Sequence, residues 1–191
     1  MIRTPMRGLS NPKVRVIFLD RDGTINRADK GEFVFRVKDW QWLPGAEDAL
    51  KRLQAAGYSL AVVTNQSGIG HGLYSEADMQ AVNEHMAAQL AASGVSLAAV
   101  VSCPHRRDAG CGCRKPATGL ARQIEGAMGP INYAASWAVG DKPSDVGFGR
   151  ALGARTALLR SRHWREEQLA ERPDAIVDSL REAADIIVSS K

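Results

Sequence analysis

No stretch of this 191-residue chain approaches the roughly 18–20 consecutive apolar residues of a membrane-spanning helix. The opening "MIRTPMRGLSNPK" has no apolar run to serve as a signal peptide, so a cytoplasmic location is expected. Cysteine is scarce. There are three, Cys103, Cys111 and Cys113, all within eleven positions. In a reducing compartment, so few thiols so close together point to a metal rather than to disulfides. A core needs no such staple here, since a chain of this size buries about 70% of its unfolded surface. Aromatic residues make up only 6%, and Lys and Arg form no stripe. Both facts argue against a nucleic-acid partner. The net charge of +4 is mild and scattered, which suits a small phosphorylated substrate. Repeats, low-complexity tracts and a domain linker are missing, so one domain over 1–191 is expected, as a monomer.

What is present is alternation. Apolar runs recur as "VRVIFL" (14–19), "YSLAVVT" (58–64), "LAAVVS" (97–102), "SWAVG" (136–140), "TALLR" (156–160) and "AIV" (175–177). They read as short strands buried on both faces. Helical patterns lie between them. One follows Pro44 and ends at Gly57, and another starts at the cap Ser75 with Val82, Met86 and Leu90 on one stripe. Three more read from "TGLARQIEGAM", "SDVGFGRALG" and "SLREAADIIVSS". The fold class is therefore α/β, a central parallel sheet with helices on both faces. In such sheets ligands bind beyond the carboxyl ends of the strands.

Four polar clusters fall at those ends: Asp20-Arg21-Asp22-Gly23-Thr24, Thr64-Asn65-Gln66-Ser67-Gly68, Arg114-Lys115-Pro116 and Gly140-Asp141-Lys142-Pro143-Ser144-Asp145. Asp20, Asp22 and Asp141 are suited to hold Mg²⁺ through oxygen, which offsets their mutual repulsion. A carboxylate such as Asp20 can attack phosphorus and form an aspartyl-phosphate. Thr64 and Lys115 can donate to the phosphoryl oxygens, and Asp22 can serve as general acid and then base. Asn65, Gln66 and Ser67 are expected on the substrate side. Taken singly, each cluster is as well explained as a turn or a helix cap. Their conjunction, in order and each after a strand, is what carries the chemistry.

The irregular stretch 103–117 contains "CPHRRDAGCGC". Cys103, His105, Cys111 and Cys113 have the spacing and ligand type of a tetrahedral structural Zn²⁺ site. Its job would be to fix the loop that carries Arg114 and Lys115.

"DRDGT", "TNQSG", "RKP" and "GDKPSD" resemble the four ordered motifs of the haloacid dehalogenase superfamily of phosphatases, over about positions 14 to 160. The resemblance implies a Rossmann-like fold and a phosphohydrolase. A zinc loop directly before "CRKP" resembles two branches, the heptose-1,7-bisphosphate phosphatases and the histidinol-phosphate phosphatases. "FLDRDGTIN" and "VVTNQSGIGHG" look more like the heptose branch. That branch implies removal of the C7 phosphate of a heptose bisphosphate, on the way to lipopolysaccharide or another surface glycan. It also implies that Arg114 recognises substrate, that Thr64 and Lys115 steady the phosphoryl group, and that Lys142 contacts substrate. The chain departs from the branch in its flap, "RADKGEFVFRVKDW", where Gly31-Glu32 and Phe33 replace the usual Gly-Tyr pair, and in a short zinc loop. Only about 40 residues separate Asp22 from Thr64, which leaves room for a minimal cap.

Competing readings are another small-molecule phosphatase, a zinc-containing nucleic-acid-binding module and a DNA 3′-phosphatase. Trp40 and Trp42 read as core packing rather than substrate stacking. His71, His85 and His163 read as surface residues, and "RSRHWREEQ" as a charged, solvated stretch.

Overall fold

The apolar runs become six parallel strands in the computed structural model, which describes residues 13–28 and 33–190. They are β1 (Val16–Leu19), β2 (Ser59–Asn65), β3 (Leu97–Cys103), β4 (Trp137–Gly140), β5 (Arg155–Leu159) and β6 (Ala175–Val177). The first is shorter than the run from 14, because Val14 pairs only as an isolated bridge to Ile131. The N-terminal reading up to residue 12, and the flap pair Gly31-Glu32, lie outside the described residues.

The strand order is β3-β2-β1-β4-β5-β6. The chain builds outward from β1 to β3, then returns to the other side of β1 with β4. The crevice between β1 and β4 is thus the point where the winding reverses, the place where open α/β sheets bind ligands. The helices are α1 (Ala46–Ala55), α2 (Ser67–Gly70), α3 (Glu76–Ala92), α4 (Gly119–Met128), α5 (Pro143–Leu152) and α6 (Leu180–Ser189). Alternation along β1 decides the two layers. Ile17 and Leu19 join a core with α1, α3 and α6, while Val16 and Phe18 join one with α4 and α5. Phe148 of α5 meets Phe18 edge-on, with ring centroids 5.6 Å apart.

Local chemistry sets the helix starts. Ser75 Oγ accepts from the Asp78 N–H at 3.1 Å, and the Asp78 carboxylate accepts from the Ser75 N–H at 2.8 Å. This reciprocal box fixes where α3 begins. On α5, Pro143 occupies the first turn and the Asp145 carboxylate accepts from the Lys142 N–H at 3.0 Å. Trp40 is buried in the first layer with Trp42 packed against it, edge-on at 5.2 Å. His85, read as a surface residue, is half-buried against Trp40 instead, because α3 turns it toward the Trp pair. No helix among the described residues is long and apolar enough to cross a membrane.

Candidate active site

Asp20 directly follows β1 and Asp141 directly follows β4, so adjacent strands deliver both acids to the crevice. Two glycines make their approach feasible. Gly23 has φ +88°, and a Cβ there would lie 2.4 Å from Asp141 Oδ2. At Gly140 a Cβ would lie 2.1 Å from Asp145 Oδ2. At Gly23 any other residue would strain the Asp20–Thr24 turn, and at either glycine a side chain would push a carboxylate aside.

The carboxylates that converge are Asp20, Asp141 and Asp145, with ligand oxygens within 4.8 Å of one another. Asp22 is not in this group, contrary to the expected Asp20, Asp22 and Asp141 set. Its carboxylate is turned away to accept from Arg21 Nη2 at 2.8 Å, Gln66 Nε2 at 2.8 Å and Asn26 Nδ2 at 3.0 Å. Asp145, one turn into α5, takes the third place. Three hard oxygen donors fit a divalent cation such as Mg²⁺. Asp141 Oδ1 is buried without a hydrogen bond, as a metal-facing oxygen would be.

Lys115 enters from the Cys/His loop and is almost fully buried. Its Nζ lies 2.8 Å from Asp20 Oδ1 and 2.6 Å from Asp145 Oδ1, and donates to the Val63 carbonyl at 2.5 Å. Burial opposes its charge, but Asp145 and Asp20 together hold the ammonium above the ordinary lysine value. Burial likewise pushes Asp20 up, yet Lys115 and Lys142 outweigh it and hold the carboxyl below its usual range. That favours the ionised form of Asp20, the state in which a carboxylate can attack phosphorus. Asp141 goes the other way. Burial, then the charge of Asp20, push it up to about 7. A divalent cation beside it would remove that penalty.

Around this centre lies a small cavity that Asp20, Asp22, Thr64 and Lys115 line together. Asn65, Lys115, Lys142 and Ser144 are shared between it and a wider cleft of about 400 Å³. The cleft is rimmed by Arg107, Arg114, Lys142 and His163, with Phe33 on one wall. Arg114 Nη1 is buried with no hydrogen-bond partner among the described residues. Asn65 lines the cleft and also grips the Lys115 backbone, accepting its N–H at 3.0 Å and donating to its carbonyl at 3.2 Å. Gln66 and Ser67, expected on the substrate side, are buried behind the cleft.

The expected metal loop closes on itself. Cys103 Sγ, His105 Nδ1, Cys111 Sγ and Cys113 Sγ lie 3.2–3.6 Å apart where their contacts are resolved. Ligands about 2.3 Å from a central zinc define a tetrahedron of similar edge. Burial pushes Cys103 up to about 12, whereas at Cys111 the Arg114 backbone N–H and hydrogen bonds from the Cys113 and Cys103 thiols overcome burial and bring it down to about 6. The three cysteines form no disulfide.

Several site residues escaped the sequence reading. Arg21, fully buried, donates to Asp22, to the Asn83 side chain at 2.8 Å and to the Val34 carbonyl at 2.6 Å. His163 sits at the cleft with Nε2 3.8 Å from Asp141 Oδ2. The stretch around it is not simply solvated. Trp164 is buried against Val146 and Leu158 and donates from Nε1 to the Leu159 carbonyl at 3.1 Å, which folds the chain back over the strand end. The available signal was position: this stretch leaves β5 at the ligand-binding edge.

The model of the polynucleotide kinase 3 phosphatase family matches residues 15–156. The D-glycero-alpha-D-manno-heptose-1,7-bisphosphate 7-phosphatase of Mycobacterium tuberculosis is 39% identical over 168 residues, 88% of each chain. The D-glycero-beta-D-manno-heptose-1,7-bisphosphate 7-phosphatase of Pseudomonas putida is 37% identical, over 78% of this chain and 83% of its own. A crystal structure of the D,D-heptose 1,7-bisphosphate phosphatase of B. bronchiseptica, complexed with magnesium and phosphate, superposes with a TM-score of 0.81 at 31% identity. That match covers 93% of this chain and 100% of the other.

Proposed function

We propose, for a chain that belongs to the haloacid dehalogenase superfamily of phosphatases and within it to the heptose-1,7-bisphosphate branch, hydrolysis of the C7 phosphate of a D-glycero-D-manno-heptose 1,7-bisphosphate. The observation that carries this reading is an ionised, lysine-held Asp20 beneath a cleft whose rim presents Arg107, Arg114, Lys142 and His163. One phosphate reacts at the base, and the rim has the charge for a second anionic group.

In this mechanism the Asp20 carboxylate attacks the C7 phosphorus, and the bond from phosphorus to the sugar oxygen breaks. Asp22 gives its proton to that oxygen, so the sugar leaves as an alcohol. Lys115 and the Thr64 hydroxyl steady the phosphoryl oxygens as charge builds. Asp22, now a carboxylate, takes a proton from water as the water oxygen attacks the aspartyl-phosphate. Phosphate leaves and Asp20 is restored. Asp20, Asp141 and Asp145 would hold Mg²⁺, which supplies charge neutralisation for the acids and the phosphoryl oxygens. The magnesium in the B. bronchiseptica enzyme supports that choice.

Cys103, His105, Cys111 and Cys113 hold a structural Zn²⁺ in this reading. Four protein ligands close its coordination and leave no place for water or substrate. The chain acts as one catalytic unit, a cytoplasmic monomer with no nucleic-acid or membrane partner. It supplies heptose precursors for lipopolysaccharide or another surface glycan.

The test is phosphate release from both anomers of the heptose bisphosphate, the heptose 7-monophosphate, histidinol phosphate and a 3′-phosphorylated oligonucleotide. The α and β relatives stand at nearly equal identity, so both anomers belong in the set. The bisphosphates are expected to lead in kcat/KM. A lead for histidinol phosphate or the oligonucleotide would replace this reading.

A further inference from the structure

Gln66 is fully buried and uses every polar atom of its side chain. Nε2 donates to Asp22 Oδ2 at 2.8 Å and to Thr64 Oγ1 at 2.9 Å, which takes both amide protons. Oε1 accepts from the Tyr74 hydroxyl at 2.6 Å. Turned end for end, the amide would set its oxygen, an acceptor, against an acceptor oxygen of Asp22 whenever Asp22 is ionised, and would lose the bond to Tyr74. Tyr74 prevents this by supplying a donor where the oxygen must sit. Tyr74 is itself fixed. Phe35 stacks on its ring at 4.7 Å and 2°, Phe33 lies at 5.8 Å, and a Cβ on Gly68 would come within 2.2 Å of the ring.

We infer that Gln66 is a positioning residue that sets Asp22 and Thr64 together, with Tyr74 fixing the direction of its amide. The inference rests on the proton role given to Asp22 above. Thr64 Oγ1 accepts from Gln66, so its own hydroxyl proton is free to point at the phosphoryl group. Gln66 and Arg21 Nη2 share Asp22 Oδ2, while Asn26 holds Oδ1. One amide thus aligns the group that protonates the leaving oxygen and a group that steadies the phosphoryl oxygens.

The two roles separate by leaving group. A sugar alcohol is a poor leaving group and needs the proton, whereas 4-nitrophenolate does not. Gln66→Leu is expected to lower kcat roughly 100-fold on heptose 1,7-bisphosphate, the scale of a misplaced catalytic group, and only about tenfold on 4-nitrophenyl phosphate. The remaining tenfold is the Thr64 share, and KM should change little on either. Tyr74→Phe keeps the ring and should cost about 3–10-fold on the sugar and less than about twofold on the aryl phosphate. Asp22→Asn is measured alongside. If Asp22→Asn is selective for the sugar but Gln66→Leu and Tyr74→Phe slow both substrates equally, the positioning role is overturned alone. If Asp22→Asn is itself unselective, the proton role falls and this inference with it. A rise in KM at constant kcat for Gln66→Leu would make it a substrate contact and also overturn the inference. Should Gln66→Leu fail to fold, as its melting curve would reveal, the selectivity of Tyr74→Phe decides.

Discussion

The base of the site and its rim are built differently. At the base Asp20, Lys115, Asp141 and Asp145 are each at most 6% exposed, and they come from the ends of β1 and β4, the first turn of α5 and one loop residue. Their charges are set by one another. At the rim Arg107, Arg114, Lys142 and His163 are not fully buried and come from three loops. Fixed, desolvated charge is what stabilises a phosphoryl transition state. Adjustable charge near solvent is what discriminates one anionic sugar from another. In the proposed function the reaction type is thus written in the base and the substrate in the rim, and each can be broken separately.

The largest effect is expected at the base. Asp20→Asn removes the attacking oxygen while keeping its shape, and turnover should fall by about 10⁴-fold or more. The fold should survive, because Lys115 keeps Asp145 at 2.6 Å and the acid cluster loses one of its repelling charges. Rate assays paired with thermal melts check both halves. Wild-type-like turnover in Asp20→Asn would remove the nucleophile assignment.

The Cys/His loop, proposed to hold zinc, joins the two regions, since Cys113, Arg114 and Lys115 are consecutive. Cys111→Ser should therefore lower metal content, melting temperature and turnover together. Elemental analysis should find one zinc per chain in the wild type. Retained zinc and stability with lost activity would mean that Cys111 acts in catalysis rather than in support.

Next comes the rim itself. Arg114→Ala should shrink the preference for bisphosphate over 7-monophosphate by about 1.5–3 kcal/mol, the worth of one charge-assisted hydrogen bond. The C7 chemistry should persist, because no base residue is touched. A mutant that keeps the whole preference would move recognition of the second phosphate to Arg107, Lys142 or His163.

The same division explains what could be read from the sequence. Asp20 and Asp141 directly follow a strand, Thr64 is the last residue but one of β2, and Lys115 lies on the loop that leaves β3, with turn residues at short fixed offsets. Such signals survive in one dimension. The strands were legible for a related reason: β1, β2, β4 and most of β5 are buried on both faces and so uniformly apolar, and the edge strands β3 and β6 keep an apolar run although they are mostly half-buried. The direction of the Asp22 carboxylate was not. Its spacing from Asp20 suggested a shared metal, and only the Arg21, Asn26 and Gln66 side chains show which way its carboxylate turns. His163 lies 22 residues past Asp141 in a stretch of mostly charged residues. It reaches the site because buried Trp164 reverses the chain there, a tertiary effect without periodicity.

The smallest effect lies behind both regions, at the Trp pair. From its spacing Trp42 reads as core packing rather than stacking on a substrate. In the fold it packs against the first-layer core, meets Trp40 edge-on and donates from Nε1 to Gln89 Oε1 at 2.6 Å. It is not among the residues lining the cleft. Trp42→Phe keeps most of the ring contact and removes that hydrogen bond, leaving Gln89 to solvent. Stability should fall by about 0.5–1.5 kcal/mol, the net worth of one such bond. Because nothing at the base or rim moves, kcat/KM for the heptose bisphosphate should stay within about twofold of wild type, a change below about 0.5 kcal/mol in transition-state binding. Denaturant melts and steady-state kinetics on the same preparation separate the two quantities. A raised KM at unchanged stability would place Trp42 against the sugar and move the substrate side of the cleft toward α3.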